Sequence, residues 1–166
     1  MHETFMRRAI EIARHSLETP GAMPYGAVVV RDGKIIGEGL NRAAALNDPT
    51  SHGEVEAIRD ACRRLGSPRL DGAIVYTSCE PCAMCVATMY LAGIAAVYYA
   101  STLQDSVALY EGLARHDPKW QRRLGPEDLR RQTGLTIEQR SMPAQRLLAD
   151  AGQTALDEFA RRETGS

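Results

Sequence analysis

The chain has 166 residues, 44% of them apolar and 25% charged, with a formal net charge of −1. That length suits one domain with a substantial core, since about 70% of the unfolded surface leaves water at this size. The near-neutral balance speaks against an obligate nucleic-acid binder, which carries a basic excess, and no apolar run approaches the ~20 residues that a membrane-spanning helix needs.

Residues 4–17 are predicted as an amphipathic helix, with Met6, Ile10, Ala13 and Leu17 at helical spacing and Arg7, Arg8, Glu11 and Arg14 between them. Thr19-Pro20-Gly21 ends it. Residues 27–30 read as a buried strand, Asp32-Gly33-Lys34 as a tight hairpin turn, and residues 35–40 as the returning strand. Residues 41–51 are polar and expected as a loop over the site. A helix over 53–65 follows, with Val55, Ile58, Ala61, Cys62 and Leu65 inward and Thr50 or Ser51 as its cap. Residues 73–77 are the third strand, and Pro81 opens the next helix. Residues 82–92 are apolar almost all round, which implies burial on two sides. In so small a domain the second side is expected to be another subunit. Residues 94–99 are the fourth strand. Beyond Ser101 the pattern weakens: 104–113 reads as helix, 116–132 as a charged irregular stretch, 135–138 as a fifth strand and 143–162 as a final helix. Strands with helices between and after them give an α/β sandwich.

The chemistry lies in two stretches, His52-Gly53-Glu54 and Pro81-Cys82-Ala83-Met84-Cys85. One imidazole and two thiolates are zinc ligands, and three such ligands leave a tetrahedral ion one open position, the mark of a catalytic site. Cys82 and Cys85 fall on the first turn of a predicted helix, where the amide dipoles favour thiolates. Glu54 is placed beside the metal without being a ligand. There it can take a proton from a water activated by the metal. A structural four-ligand site would need Cys79, which lies across Pro81 at a poor spacing, or Cys62, which faces the core of its helix. Four cysteines, three within seven residues, read as metal chemistry in a reducing compartment, the cytosol, rather than as a disulfide framework. The first residues lack the order of a signal peptide.

The pattern H-x-E followed by P-C-x-x-C resembles the signature of zinc deaminases acting on nucleobases. The chain resembles the cytidine-deaminase-like superfamily over residues 3–110 and more loosely beyond. The resemblance implies a single α/β domain, a three-layer α/β/α sandwich around a five-stranded mixed sheet, with the two metal helices side by side. It implies one zinc ion per subunit on His52, Cys82 and Cys85, with Glu54 as the proton shuttle. It also implies substrate contacts: Asn41 hydrogen-bonding the base, the backbone of Ala27, Tyr25 as a pocket wall, and the loop of Ser78 and Glu80. Thr77-Ser78-Cys79-Glu80-Pro81-Cys82, followed by Tyr98-Tyr99-Ala100-Ser101-Thr102 and Asp105, looks like the guanine-deaminase branch. Asp105 is then expected to read the donor groups of guanine, against the plainer reading of an Asp in a helix's first turn. Residues 111–166 are expected to pack over the active site of this chain or of a partner, and a homodimer is expected through the helix over 82–92.

Two features depart from that branch. Gly53 stands where most relatives carry Ala, which suggests a slightly larger pocket or a looser helix start and keeps cytosine, isocytosine or another aminated heterocycle open as substrates. The chain also lacks the usual C-terminal aromatic residue. The tRNA adenosine deaminases share both motifs, but the Gly-Ala-rich stretch expected of them after the fourth strand is replaced here by Ala100-Ser101-Thr102-Leu103-Gln104. Lys119, Trp120, Arg122 and Arg123 form a small basic-aromatic cluster suited to phosphates and a stacked base, against which stands a solvated charged face with one anchoring Trp. An inactive zinc-binding scaffold is the remaining alternative, opposed by the presence of all four groups.

Overall fold

The computed structural model describes residues 2–165. Strands β1 (Met23–Arg31) and β2 (Lys34–Asn41) form an antiparallel hairpin. Asp32 and Gly33 at its turn both have positive φ, 52° and 72°, the left-handed pair that matches the twist of a two-residue hairpin. Strand β3 (Ile74–Cys79) pairs antiparallel with β1, and β4 (Ala96–Ser101) pairs parallel with β3, giving the order β2-β1-β3-β4. A parallel pair needs a crossover connection, which here contains helix α4 (Ala83–Ala92).

Side chains alternate across β1. Val28 and Val30 join Ala9 and Ile12 of α1 (His2–Arg14) and Tyr76 in one core. Ala27 and Val29 join Ala57, Ile58 and Ala61 of α3 (Gly53–Leu65) and Met89 and Ala92 of α4 in the other. The result is three layers, helix on sheet on helix. Close approach of α3 to the sheet depends on Gly39 of β2, where an added Cβ would run into the Gly53 carbonyl and the Ala57 amide.

Several expectations are corrected. The sheet has four strands among the described residues, not five. The segment expected as the fifth instead holds a 3-10 turn, Ile137–Gln139, closed by a reciprocal capping box between Thr136 and Gln139. That Thr-x-x-Gln spacing satisfies the local amides within one turn, so nothing draws the segment into a ladder. The first helix gives way after Arg14 to a 3-10 turn over His15–Leu17. The loop after β2 contains one helical turn, α2 (Ala43–Leu46). The cap position of α3 is His52 itself, not Thr50 or Ser51. Helix α5 (Leu103–His116) is followed by α6 (Pro126–Gly134), which forms in the stretch expected to be irregular. Pro126 opens α6, and Glu127 and Asp128 sit in its first turn, where the dipole favours acids. The last helix is shorter than expected, α7 (Ala149–Thr164).

Two compact units divide at Arg130/Arg131. The first holds the sheet and its covering helices. The second holds the 3-10 turn and α7, whose C-cap is Gly165 in the left-handed conformation. No helix among the described residues is long and apolar enough to cross a membrane. Helix α4 buries Cys85, Met89 and Ala92 but leaves Tyr90 82% and Leu91 87% exposed, so one chain covers only one of its two apolar sides.

Candidate active site

Two helix starts converge. His52 is the N-cap of α3 and Cys82 the N-cap of α4, both with extended backbone. Neither side chain makes a capping hydrogen bond. The imidazole and thiol are directed at each other instead, with His52 Nδ1 3.6 Å from Cys82 Sγ. Cys85, on the first turn of α4, has its Sγ 3.5 Å from the same nitrogen and 3.6 Å from the other sulfur. Sulfur and nitrogen ligands of a tetrahedral zinc ion, at about 2.3 Å and 2.0 Å, stand about 3.5–3.8 Å from one another. The triangle therefore fits zinc and leaves one tetrahedral position open. Cys79 is outside the ligand group; its thiol is buried and donates to the Thr102 carbonyl at 3.4 Å.

Burial and charge explain the state of these groups. Glu54 is 5% exposed, and its Oε2 accepts from Cys85 Sγ at 3.5 Å. Burial raises its pKa, with His52 pulling the other way. The hydrogen bond between Cys82 and Cys85, helped by His52, pushes the Cys82 thiol down to about 4 despite burial. The same bond and burial push Cys85 up. Burial lowers the pKa of His52, but the Cys82 sulfur and the Glu54 charge outweigh it and the net direction is upward. A coordinated thiol is deprotonated outright, so a bound cation would bring Cys85 to the same state as Cys82.

Beside the triangle lies a cleft of about 230 Å³, at the small end for organic ligands. Of the sequence-predicted contacts, Tyr25, Asn41 and Glu80 line it together with His52, Glu54 and Cys82. Asn41 is buried, and its Oδ1 accepts from the Ala43 amide at 3.2 Å. Glu80 ties the metal loop to later segments: it accepts from the Leu103 amide at 3.1 Å and from Arg130 at 3.3 Å.

Four of the expected contacts are placed elsewhere. Ala27 is fully buried in the core. Ser78 Oγ accepts from the Gly26 amide at 3.0 Å, inside the sheet rather than along the cleft. Asp105 is exposed, and its Oδ2 accepts from both the amide and the hydroxyl of Thr102 at 2.8 Å, in the capping box that starts α5. The helix-start reading of Asp105 thus accounts for its carboxylate. Gly53 does not line the cleft either. An added Cβ there would lie 2.6 Å from the Tyr25 carbonyl oxygen, so the glycine seats α3 against β1 rather than enlarging the pocket.

The far wall was not read from the sequence. Leu103, Ser106 and Tyr110 of α5 line the cleft, as do Arg122, Leu124 and Pro126. Arg122 is half-buried rather than on a solvated face, with its Cζ 3.6 Å from the centre of the Tyr110 ring. Its Nη2 donates to Ser106 Oγ at 2.9 Å, and that oxygen shares a 2.8 Å hydrogen bond with the Tyr25 hydroxyl. Burial pushes Tyr25 up to about 12, opposed by the bond to Ser106. The available signal was Pro118 and Pro126 bracketing a short basic-aromatic run; the 3-10 turn Pro118–Trp120 then precedes Arg122.

The family described as the cytidine and deoxycytidylate deaminase zinc-binding region matches residues 1–101. The guanine deaminase of Bacillus subtilis is 50% identical over 105 residues, covering 63% of this chain and 67% of that one. Its solved structure aligns with a TM-score of 0.80 at 35% identity, covering 97% of this chain and 94% of that chain. A solved structure from work on tRNA:A34 deaminases aligns with a TM-score of 0.57 at 44% identity, covering 60% of this chain and 76% of that chain. The matched region contains both helix starts that meet at the ligand triangle, and the chain belongs to the cytidine and deoxycytidylate deaminase zinc-binding family as a zinc-dependent deaminase.

Proposed function

We propose that this deaminase acts on guanine, replacing the amino group on C2 with oxygen and releasing ammonia. The observation that carries this reading is the extent of the likeness. The B. subtilis guanine deaminase structure corresponds to 97% of this chain, C-terminal segments included, against 60% for the tRNA:A34 deaminase structure. A cleft of about 230 Å³ also favours a single small heterocycle.

In this reading His52, Cys82 and Cys85 would hold the zinc ion. When bound, it supplies the Lewis acidity that makes water nucleophilic near neutral pH. Glu54 does the proton work. Its carboxylate is buried in the same cleft, and the upward push of burial lets it hold a proton as well as release one. It takes one proton of the attacking water and delivers it to a ring nitrogen, then takes the remaining proton from the new hydroxyl on C2 and gives it to the departing amine, so no second acid is required. Asn41 orients the base from the cleft wall, with its own carbonyl fixed by Ala43. Tyr25 and Tyr110 supply apolar walls, and Glu80 holds α5 and Arg130 in place around the cleft.

A homodimer through α4 belongs to the same reading. Tyr90 and Leu91 project from a helix with no polar face, and a patch of this kind on a small domain marks an interaction surface. Sedimentation at micromolar concentration is expected to give twice the 18.2 kDa chain mass; a single 18.2 kDa species would refute it.

The substrate is tested by ammonia release from the zinc-loaded protein with guanine, guanosine, adenine, cytosine, isocytosine and an adenosine-bearing tRNA stem-loop. Guanine turnover supports the reading. Turnover of the stem-loop alone would replace it with tRNA adenosine deamination, and turnover of a pyrimidine alone with a pyrimidine deaminase.

A further inference from the structure

The cleft contains one group that the proton chemistry does not use. Arg122 lines the same space as His52 and Glu54, yet nothing in the hydrolysis requires a guanidinium there. Among the described residues no carboxylate pairs with it. Its one hydrogen bond is to Ser106 Oγ, and Tyr110 stacks beneath its plane at 3.6 Å. A half-buried cation without a counter-charge is unfavourable unless something else satisfies it. The stacking fixes the plane of the fork, and four of the five N–H donors remain after the bond to Ser106. Such a group is preorganised for a flat ligand that presents two adjacent acceptors.

Guanine presents that pair. Its O6 and N7 lie side by side, both acceptors, and Arg binds them with two parallel hydrogen bonds. Adenine puts a donor beside N7 on the same edge, and pyrimidines have no N7. We propose that Arg122 is the specificity residue of this site, reading the O6/N7 acceptor edge of the purine while the amino carbon faces Glu54 and the metal ligands. The inference rests on the guanine reading above. It gives Ser106 and Tyr110 a role as positioning residues that aim the fork. It also moves base selection from Asp105, on the cap of α5, to the wall formed after that helix.

The test compares kcat/KM of the zinc-loaded wild type, Arg122→Gln and Arg122→Lys on guanine, 2-aminopurine, which lacks O6, and 7-deazaguanine, which lacks N7. Intrinsic reactivity of each base cancels in the ratio of wild type to variant. Arg122→Gln is expected to lose about 10- to 100-fold on guanine and only a few-fold on either analogue, with zinc content unchanged. Arg122→Lys keeps the charge and loses the fork, and is expected to fall between. Equal losses on all three bases, in whichever variant folds, would overturn the inference and leave Arg122 a structural support. Absence of guanine turnover in the wild type itself would overturn the guanine reading first, and this inference with it.

Discussion

Gly53, the first residue of α3, rests so close to Tyr25 that an added Cβ would lie 2.6 Å from the Tyr25 carbonyl oxygen. The neighbours of Gly53 in sequence are His52 and Glu54, so any displacement of the helix start moves a ligand and the proton carrier together. Gly53→Ala is expected to cost about 1–3 kcal/mol, the range for overpacking a buried contact, and to weaken zinc retention. Denaturant titration and metal analysis check this. A variant as stable as wild type but with a different choice of bases would mean that residue 53 faces substrate after all.

Asp105 gives the opposite kind of expectation. Its carboxylate is held by Thr102, and the same bonds keep its pKa below the ordinary carboxylate value. Asp105→Ala removes one half of a capping box and is expected to lower stability slightly while leaving the ratio of kcat/KM between guanine and other bases unchanged. A shift in that ratio would return Asp105 to the substrate.

The metal half of the site was legible because its residues obey local rules. His-x-Glu and Cys-x-x-Cys are short spacings that helix starts convert directly into geometry, and the glycines and turn residues before them punctuate the chain clearly. The hairpin at Asp32-Gly33 was legible for the same reason. The far wall of the cleft was not, because Ser106, Tyr110 and Arg122 meet only through tertiary packing of α5 against the turn after Pro118. A charged stretch with two prolines carries no periodicity from which to read that. The fifth strand failed on a competing local signal: Thr136 and Gln139 have capping-box spacing, and the turn they close takes the residues a strand would have used.

The acid limb of stability has a specific origin between α1 and β2. Arg8 forks onto Glu38, Nε to Oε1 at 2.7 Å and Nη2 to Oε2 at 2.8 Å. The Arg8 hydrogen bonds hold the Glu38 carboxyl below its ordinary value of 4.5, outweighing burial. A depressed folded pKa means the unfolded chain takes up the proton first as pH falls. The pair therefore contributes in full above 4.5, and the contribution is lost as pH drops through the folded value. Both side chains are about one-third exposed, so the contribution is about 1 kcal/mol or less. Glu38→Gln is expected to be less stable than wild type near neutrality and to converge with it below 4.5. Zinc loss in acid affects both proteins alike, so the difference between their denaturation midpoints is the readout. A constant difference at every pH would contradict the assignment.

In the proposed deamination of guanine, the buried Glu54 carboxylate beside the three zinc ligands carries every proton. The most direct measurement is ammonia release from guanine by zinc-loaded wild type and Glu54→Gln, with bound zinc measured in the same samples. The expected result is turnover by the wild type and a loss of about 100-fold or more in the variant at equal zinc content, the range for removing a general acid–base. Near-wild-type turnover by a zinc-loaded Glu54→Gln protein would contradict the account.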